Sequence, residues 1–327
     1  MSARLSLYEL AGLHALDPAG AQLLVDEAGL NQEPAALQRM LWPVIAVIAA
    51  ALVGLGVILW LAANWDTMGR TTRFALLQGV IAVMCIAAAM RANLRAPLGL
   101  LALICIGGLF AYFGQTYQTG ADTWQLFAMW AVLALPLCLG ARSDVLWAPW
   151  ALVAMTAISL WVFAHTSHRW RVEPQDLTIY LVAWGASGVV VAALSAAFAR
   201  ITGAGEWAMR TAVTLAVIGI TATALGGLFF REVAPHYPLA LAVLFLAAAL
   251  LAQKRFFDIF ALSALALALD TLVITGLARW LFTGGSNDLV GRLMLIGLAA
   301  CGILAGSVSL IMRLAKRHAV QGTEVAQ

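Results

Sequence analysis

The chain alternates long apolar runs with short polar interruptions, and the runs share one length scale. Ten stretches of about 20 mostly apolar residues can be marked, each the length a helix needs to cross a bilayer. They fall at roughly 41–63, 74–90, 98–117, 124–140, 145–164, 177–199, 211–230, 238–253, 256–277 and 293–312. Polar residues collect in the connections, such as NWDTMGRTTR at 64–73, HTSHRWRVEPQD at 165–176 and RWLFTGGSNDLVGR at 279–292. No connection is long enough for a soluble domain. The pattern predicts an all-α polytopic transmembrane helix bundle of about ten spans over residues 41–312. A tail at 1–40 precedes it and a tail at 313–327 follows. In the first tail, Asp17-Pro18 reads as N-cap and first helical position and Gly29 as a stop, which predicts a short helical tail at the membrane surface. The same segment is acidic and lacks the apolar core of a cleavable signal.

Composition fixes the solvent. The 327 residues are 63% hydrophobic and 11% charged, with a mean hydropathy of +0.92. Soluble domains carry about 25% charged residues, so most of this chain is built for lipid. The net charge of +3 gives no case for a nucleic-acid partner. It is more useful as an orientation signal. With ten spans, both termini share one side, and 12 of the 19 Lys and Arg fall on that side against 7 on the other. Cytoplasmic loops collect basic residues, so both termini are expected inside, in a bacterial inner membrane. The four cysteines, Cys85, Cys105, Cys138 and Cys301, lie in apolar runs and form neither a disulfide framework nor a metal spacing.

An internal echo supports the helix count. GGLFAYFGQTY at 107–117 resembles GGLFFREVAPHY at 226–237, and the segment around Asp144 resembles the one around Asp258. On this echo, spans two to five are expected to repeat in spans six to nine. Four helices is an even number, so the copies would point the same way, as in parallel transporter repeats.

One polar cluster exceeds what helix ends require. The third span runs out through Gln115, Thr116, Tyr117, Gln118, Thr119, Asp122 and Thr123 with no Lys or Arg among them. On the expected orientation it surfaces outside. The first span surfaces there too, as Asn64, Trp65 and Asp66. Capping and an interfacial aromatic account for such residue types singly. Two amides, three threonines and an acid in ten residues suggest more: one polar pocket, shared by both corners, for a sugar, a lipid headgroup or a peptide backbone.

A span ending ANWD, followed by one ending FGQTYQTGADTWQLFAMWAVLALPL, resembles the DUF2157 family of bacterial membrane proteins over residues 5–140. The positions matching the family pattern are Asn64, Trp65, Gln115, Tyr117, Asp122 and Trp130. The resemblance implies an inner-membrane location and a partner, a second membrane protein of the GDYxxLxY type. It carries over no catalytic residue.

Asp270, in LALALDTLVITGLARW, lies inside span nine, about seven to nine residues from its outer end. An ionisable group within the bilayer is a functional candidate by default and needs a partner or water. Arg73, Arg231, Arg279 and Gln78 are the expected partners. An Arg beside it would mark a structural ion pair; a dry site without one would mark a neutral acid fit for proton exchange. HTSH at 165–168, with Glu173, Glu232 and His236 on the same face, reads as an exposed interfacial loop, with an outer metal site as the alternative. Gly302-xxx-Gly306 in span ten reads as a close-packing face.

Three functions fit this sequence. The leading one is a transporter, or a lipid- or small-molecule-handling protein, with the outer pocket formed by Asn64, Trp65, Asp66, Gln115, Tyr117, Gln118 and Asp122 and with Asp270 as the charge inside. It rests on fold-level analogy. The second is a non-catalytic scaffold or assembly partner in the membrane. The third, an enzyme at the outer leaflet, has no nucleophile–base set. No metal and no cofactor is expected, and membrane lipids are the expected surroundings.

Overall fold

The computed structural model describes residues 10, 12–14, 16–27, 35–64, 69–117, 122–167, 172–253, 256–283 and 289–324. Its main helices are α1 (Pro18–Glu27), α2 (Ala35–Ala63), α3 (Arg70–Met90), α4 (Arg95–Tyr117), α5 (Thr123–Ala141), α6 (Asp144–His165), α7 (Leu177–Ala193), α8 (Glu206–Leu228), α9 (His236–Leu251), α10 (Ile259–Thr283) and α11 (Leu289–Glu324). No strand occurs among the described residues. Among the described residues, nine helices are long and apolar enough to cross a membrane, and α9, with 16 residues, is shorter. The protein is an integral membrane protein with a helical polytopic fold.

Contacts at the two ends of the bundle fix the directions of the helices. At one end, Arg210 at the start of α8 meets Asp258 at the start of α10, 3.0 Å apart. At the other, Arg279 late in α10 donates to the Phe230 carbonyl just past α8, at 2.9 Å. α8 and α10 are therefore parallel, and α9 runs back between them. Its helical part measures about 24 Å against a hydrocarbon core of about 30 Å. Among the described residues, nine helices are thus long enough to cross, and the shorter α9 runs antiparallel to α8 and α10.

Several boundaries differ from the sequence reading. α3 starts at Arg70, so Arg70 and Arg73 belong to its first turn. α7 stops at Ala193, and the expected continuation to 199 is a turn leading to a short helix, Ala199–Thr202, that ends on Gly203 at φ +66°. α10 runs on to Thr283 rather than 277. α11 continues to Glu324, so most of the expected C-terminal tail is an extension of the last span. α2 likewise starts at Ala35, inside the expected 1–40 tail. In that tail, the Asp17 carboxylate accepts the Gly20 N–H at 2.8 Å, which makes Asp17 the cap of α1 with Pro18 as first residue. Gly29 lies outside the described residues.

The interior is centred on α4, α6 and α8, in which about half of the most apolar stretch is buried. α4 packs on α3, α5 and α6, and α8 packs on α7, α9 and α10. The preceding helix joins in the same way, α2 on α4 and α6 on α8. The third and seventh spans, α4 and α8, are thus both hubs of helix packing. The GG pairs allow close approach in each, although the aligned glycines meet different neighbours: Gly107 faces α5 and Gly226 faces Val172, Gly108 faces α2 and Gly227 faces α9. A methyl group at Gly107 would meet Trp130 of α5 at 2.4 Å, and one at Gly227 would meet the Cβ of His236 of α9 at 3.0 Å. Asp144 and Asp258 are not placed as repeat partners, since Asp144 engages α8 rather than α4. Asp144 accepts the N–H groups of Gly205 (2.6 Å) and Trp207 (3.0 Å), and Asp258 accepts Arg210, so both engage the first turn of α8.

α11 stands apart. It packs on α10, and none of its most apolar stretch is buried. Nothing lies within 4 Å of a methyl group built on Gly297, Gly302 or Gly306. The expected close-packing face is not used within this chain, because these glycines point away from α10.

Candidate functional site

The end of the bundle at which α2 and α4 finish and α3 and α5 begin holds the polar cluster. Gly108 brings α2 close: a methyl group there would meet Ile58 at 3.0 Å. Leu61 of α2, Leu77 of α3 and Tyr112 of α4 are buried together, with Phe74 and Leu109 against them. This small apolar knot, separate from the two larger core clusters, ties three helix ends into one corner.

Above the knot the corner is aromatic. Phe74 lies 4.5 Å from the Tyr112 ring and 5.9 Å from Tyr117, and Phe113 lies 4.9 Å from Tyr117. The Tyr112 hydroxyl donates to the Arg70 carbonyl at 3.3 Å, and the Arg73 guanidinium sits 5.9 Å over the Tyr112 ring. Tyr117 is 54% exposed, and Gln115, two residues earlier on α4, is exposed as well. The result is a ledge: a buried aromatic base, two arginines of α3 at one edge, and a tyrosine at the rim.

The predicted site residues divide. Tyr117 lies on the ledge, whereas Gln115 is exposed two residues earlier on another face of α4. Asn64 caps its own helix, donating from Nδ2 to the Trp60 carbonyl at 2.9 Å, so capping explains at least part of its presence. Asp122 is exposed at the N-cap position of α5 and makes no side-chain cap bond. Trp65, Asp66 and Gln118 lie outside the described residues. Trp130 is a packing residue: its indole fills the space over Gly107 and donates to the Leu103 carbonyl at 2.9 Å. Tyr112 and Phe74 were not singled out from sequence. Leu109 and Tyr112, three residues apart on one face, were the available signal.

The HTSH region differs from expectation. His165 closes α6, with Nδ1 against the Trp161 carbonyl at 2.8 Å and its ring near Trp161 and Trp124. His168 lies outside the described residues. His236 is fully buried rather than in an exposed loop, edge-on to Tyr180 at 5.0 Å, because Gly227 lets the start of α9 settle against α8. Among the described residues, no group of three or more His, Cys, Asp or Glu is placed to hold a metal ion.

Asp270 lies deeper than expected. With α10 running from Ile259 to Thr283, it is mid-helix, about 16 Å from one end and 20 Å from the other. It is 8% exposed. None of the four expected partners reaches it. Arg279 donates to the Phe230 and Arg231 carbonyls, Arg73 lies over Tyr112, Arg231 is exposed, and Gln78 is exposed on α3. Its partner is Ser307 of α11, with Oγ 2.7 Å from Oδ2.

No curated protein and no solved structure matches the chain. Residues 9–147 match the family model described as a predicted membrane protein (DUF2157); the corner of α2, α3 and α4 falls inside that segment and Asp270 outside it, and over this segment the chain is similar to that family.

Proposed function

We propose that the protein handles a lipid or another membrane-borne amphiphile, recognised at the corner formed by α2, α3 and α4. The observation that carries this reading is the ledge itself. Phe74 and Tyr112 form the base for an apolar portion, Arg70 and the Tyr117 hydroxyl stand at its edge, and Gln115 at the end of α4 adds a further donor for a polar head. Aromatic residues with one wet end are favoured at the membrane interface, where such a molecule is met. The match to the family segment adds support, since it contains the whole ledge. In this reading the ledge faces outward from a bacterial inner membrane, with both termini cytoplasmic.

The experiment compares co-purified species. Wild type, Tyr117→Ala and Gln115→Ala would be extracted with their lipids and the retained amphiphiles quantified by mass spectrometry. Both side chains are exposed, so neither change threatens the fold. A several-fold loss of one species in both variants, with Val189→Ala on the exposed surface of α7 as control, is the expected result. Identical profiles in all four proteins would remove the ledge from consideration.

A further inference from the structure

The acid in the middle of α10 is a separate site and does not rest on the ledge. Ser307 Oγ lies 2.7 Å from Asp270 Oδ2 and 3.0 Å from the carbonyl oxygen of Leu304. A hydroxyl has one proton to give and can also accept. Were Asp270 ionised, that single proton, shared with Leu304, would be its only side-chain donor among the described residues. Were Asp270 a carboxylic acid, its O–H would donate to Ser307 Oγ, and the Ser307 proton would serve Leu304. Each hydroxyl proton in the chain Asp270–Ser307–Leu304 then has one acceptor of its own.

Among the described residues no charged or titratable group of the surrounding helices pairs with Asp270: Glu206 lies with Arg210 at the start of α8, His236 is buried against Tyr180 at the start of α9, and Lys316 and Arg317 lie beyond Arg313 on α11. α8 presents Arg210 to Asp258 at the far end. On α9, the Tyr237 hydroxyl donates to the Leu272 carbonyl at 2.9 Å. Arg279 of α10 holds the carbonyls after α8. α11 carries Arg292 and Arg313, which stand about 22 and 9 Å along its axis from Ser307. A carboxylate at this depth with no cation beside it is expensive to keep.

We propose that Asp270 is an intramembrane proton-binding site, a carboxylic acid held between α10 and α11 with Ser307 as its acceptor. The cover over it is the last helix, which packs on α10 and has open space around Gly302 and Gly306. Parting of α11 from α10 is the movement that exposes the acid for proton exchange. The ligand is a proton, and the site is built from one acid, one hydroxyl and a peripheral helix.

Infrared difference spectroscopy of the full-length protein in lipid vesicles tests this at neutral pH. Subtracting Asp270→Asn from wild type should leave a carboxylic-acid C=O stretch, lost completely in the variant. Loss of carboxylate bands instead overturns the proposal. If Asp270→Asn does not accumulate, Ser307→Ala decides, since it keeps the carboxyl and removes only its acceptor. A paired shift in the acid C=O region is then expected. A shift confined to the carboxylate bands, or no shift, overturns it. Neither readout depends on what binds at the ledge.

Discussion

Gly107→Ala should destabilise the protein through one contact. The added methyl group would lie 2.4 Å from Cζ2 and 2.5 Å from Cη2 of Trp130, within van der Waals overlap. The indole is held by its own hydrogen bond to Leu103 and cannot swing aside without leaving that N–H unpaired. Overpacking costs about 1–3 kcal/mol, and stranding a donor costs about 1–3 kcal/mol more. The gain in helix propensity from glycine to alanine returns about 1 kcal/mol. The net loss is about 1–5 kcal/mol. Gly79→Ala is the matched control, since nothing lies within 4 Å of a methyl group there. Denaturant titration in detergent would measure both. Gly107→Ala should unfold earlier than wild type and Gly79→Ala no earlier. The penalty should also shrink when Trp130 is replaced by Ala in the same chain, because the two residues are in contact. A Gly107→Ala midpoint equal to that of Gly79→Ala, or an additive double variant, refutes the reasoning.

Asp144→Ala removes the acceptor of two N–H groups at the start of α8 and should cost about 1–3 kcal/mol in the same titration. Asp258→Ala should destabilise more than Glu206→Ala. Asp258 is a half-buried partner of Arg210 that also caps α10 through the Ala261 N–H, whereas the Glu206 side chain is 75% exposed and its loss should stay within about 0.5 kcal/mol. For orientation, Asp122→Cys in a background without native cysteines should react with an impermeant maleimide from outside intact cells. Labelling only after the inner face is opened reverses the assignment.

The sequence by itself determined the solvent, the helices and their approximate number. Hydropathy is a local property, and in lipid each span must satisfy its own backbone hydrogen bonds, so a run of apolar residues is enough to mark a helix. Asp17-Pro18 could be read because a cap is local too. The GGLF echo was legible for a related reason: glycine pairs mark where a neighbouring helix comes close, and both pairs do so.

The tertiary structure decided which faces meet. Helices apolar on every side carry no stripe to say which side turns inward, so the sequence could not show that Tyr112 is buried while Tyr117, five residues on, is exposed. His236 was read in a loop because nothing local tells a loop histidine from one that Gly227 admits beneath Tyr180. The end of α10 was set too early, with Arg279 placed in the connection that follows it. The Arg279 guanidinium reaches back to carbonyls past the end of α8, and the helix continues to Thr283. That extension places Asp270 at mid-span, and its partner is a serine in the last helix that no charge pattern would have selected. A serine in a long apolar run is nearly silent in sequence, and only the approach of α11 to α10 gives Ser307, rather than Ser309, a role.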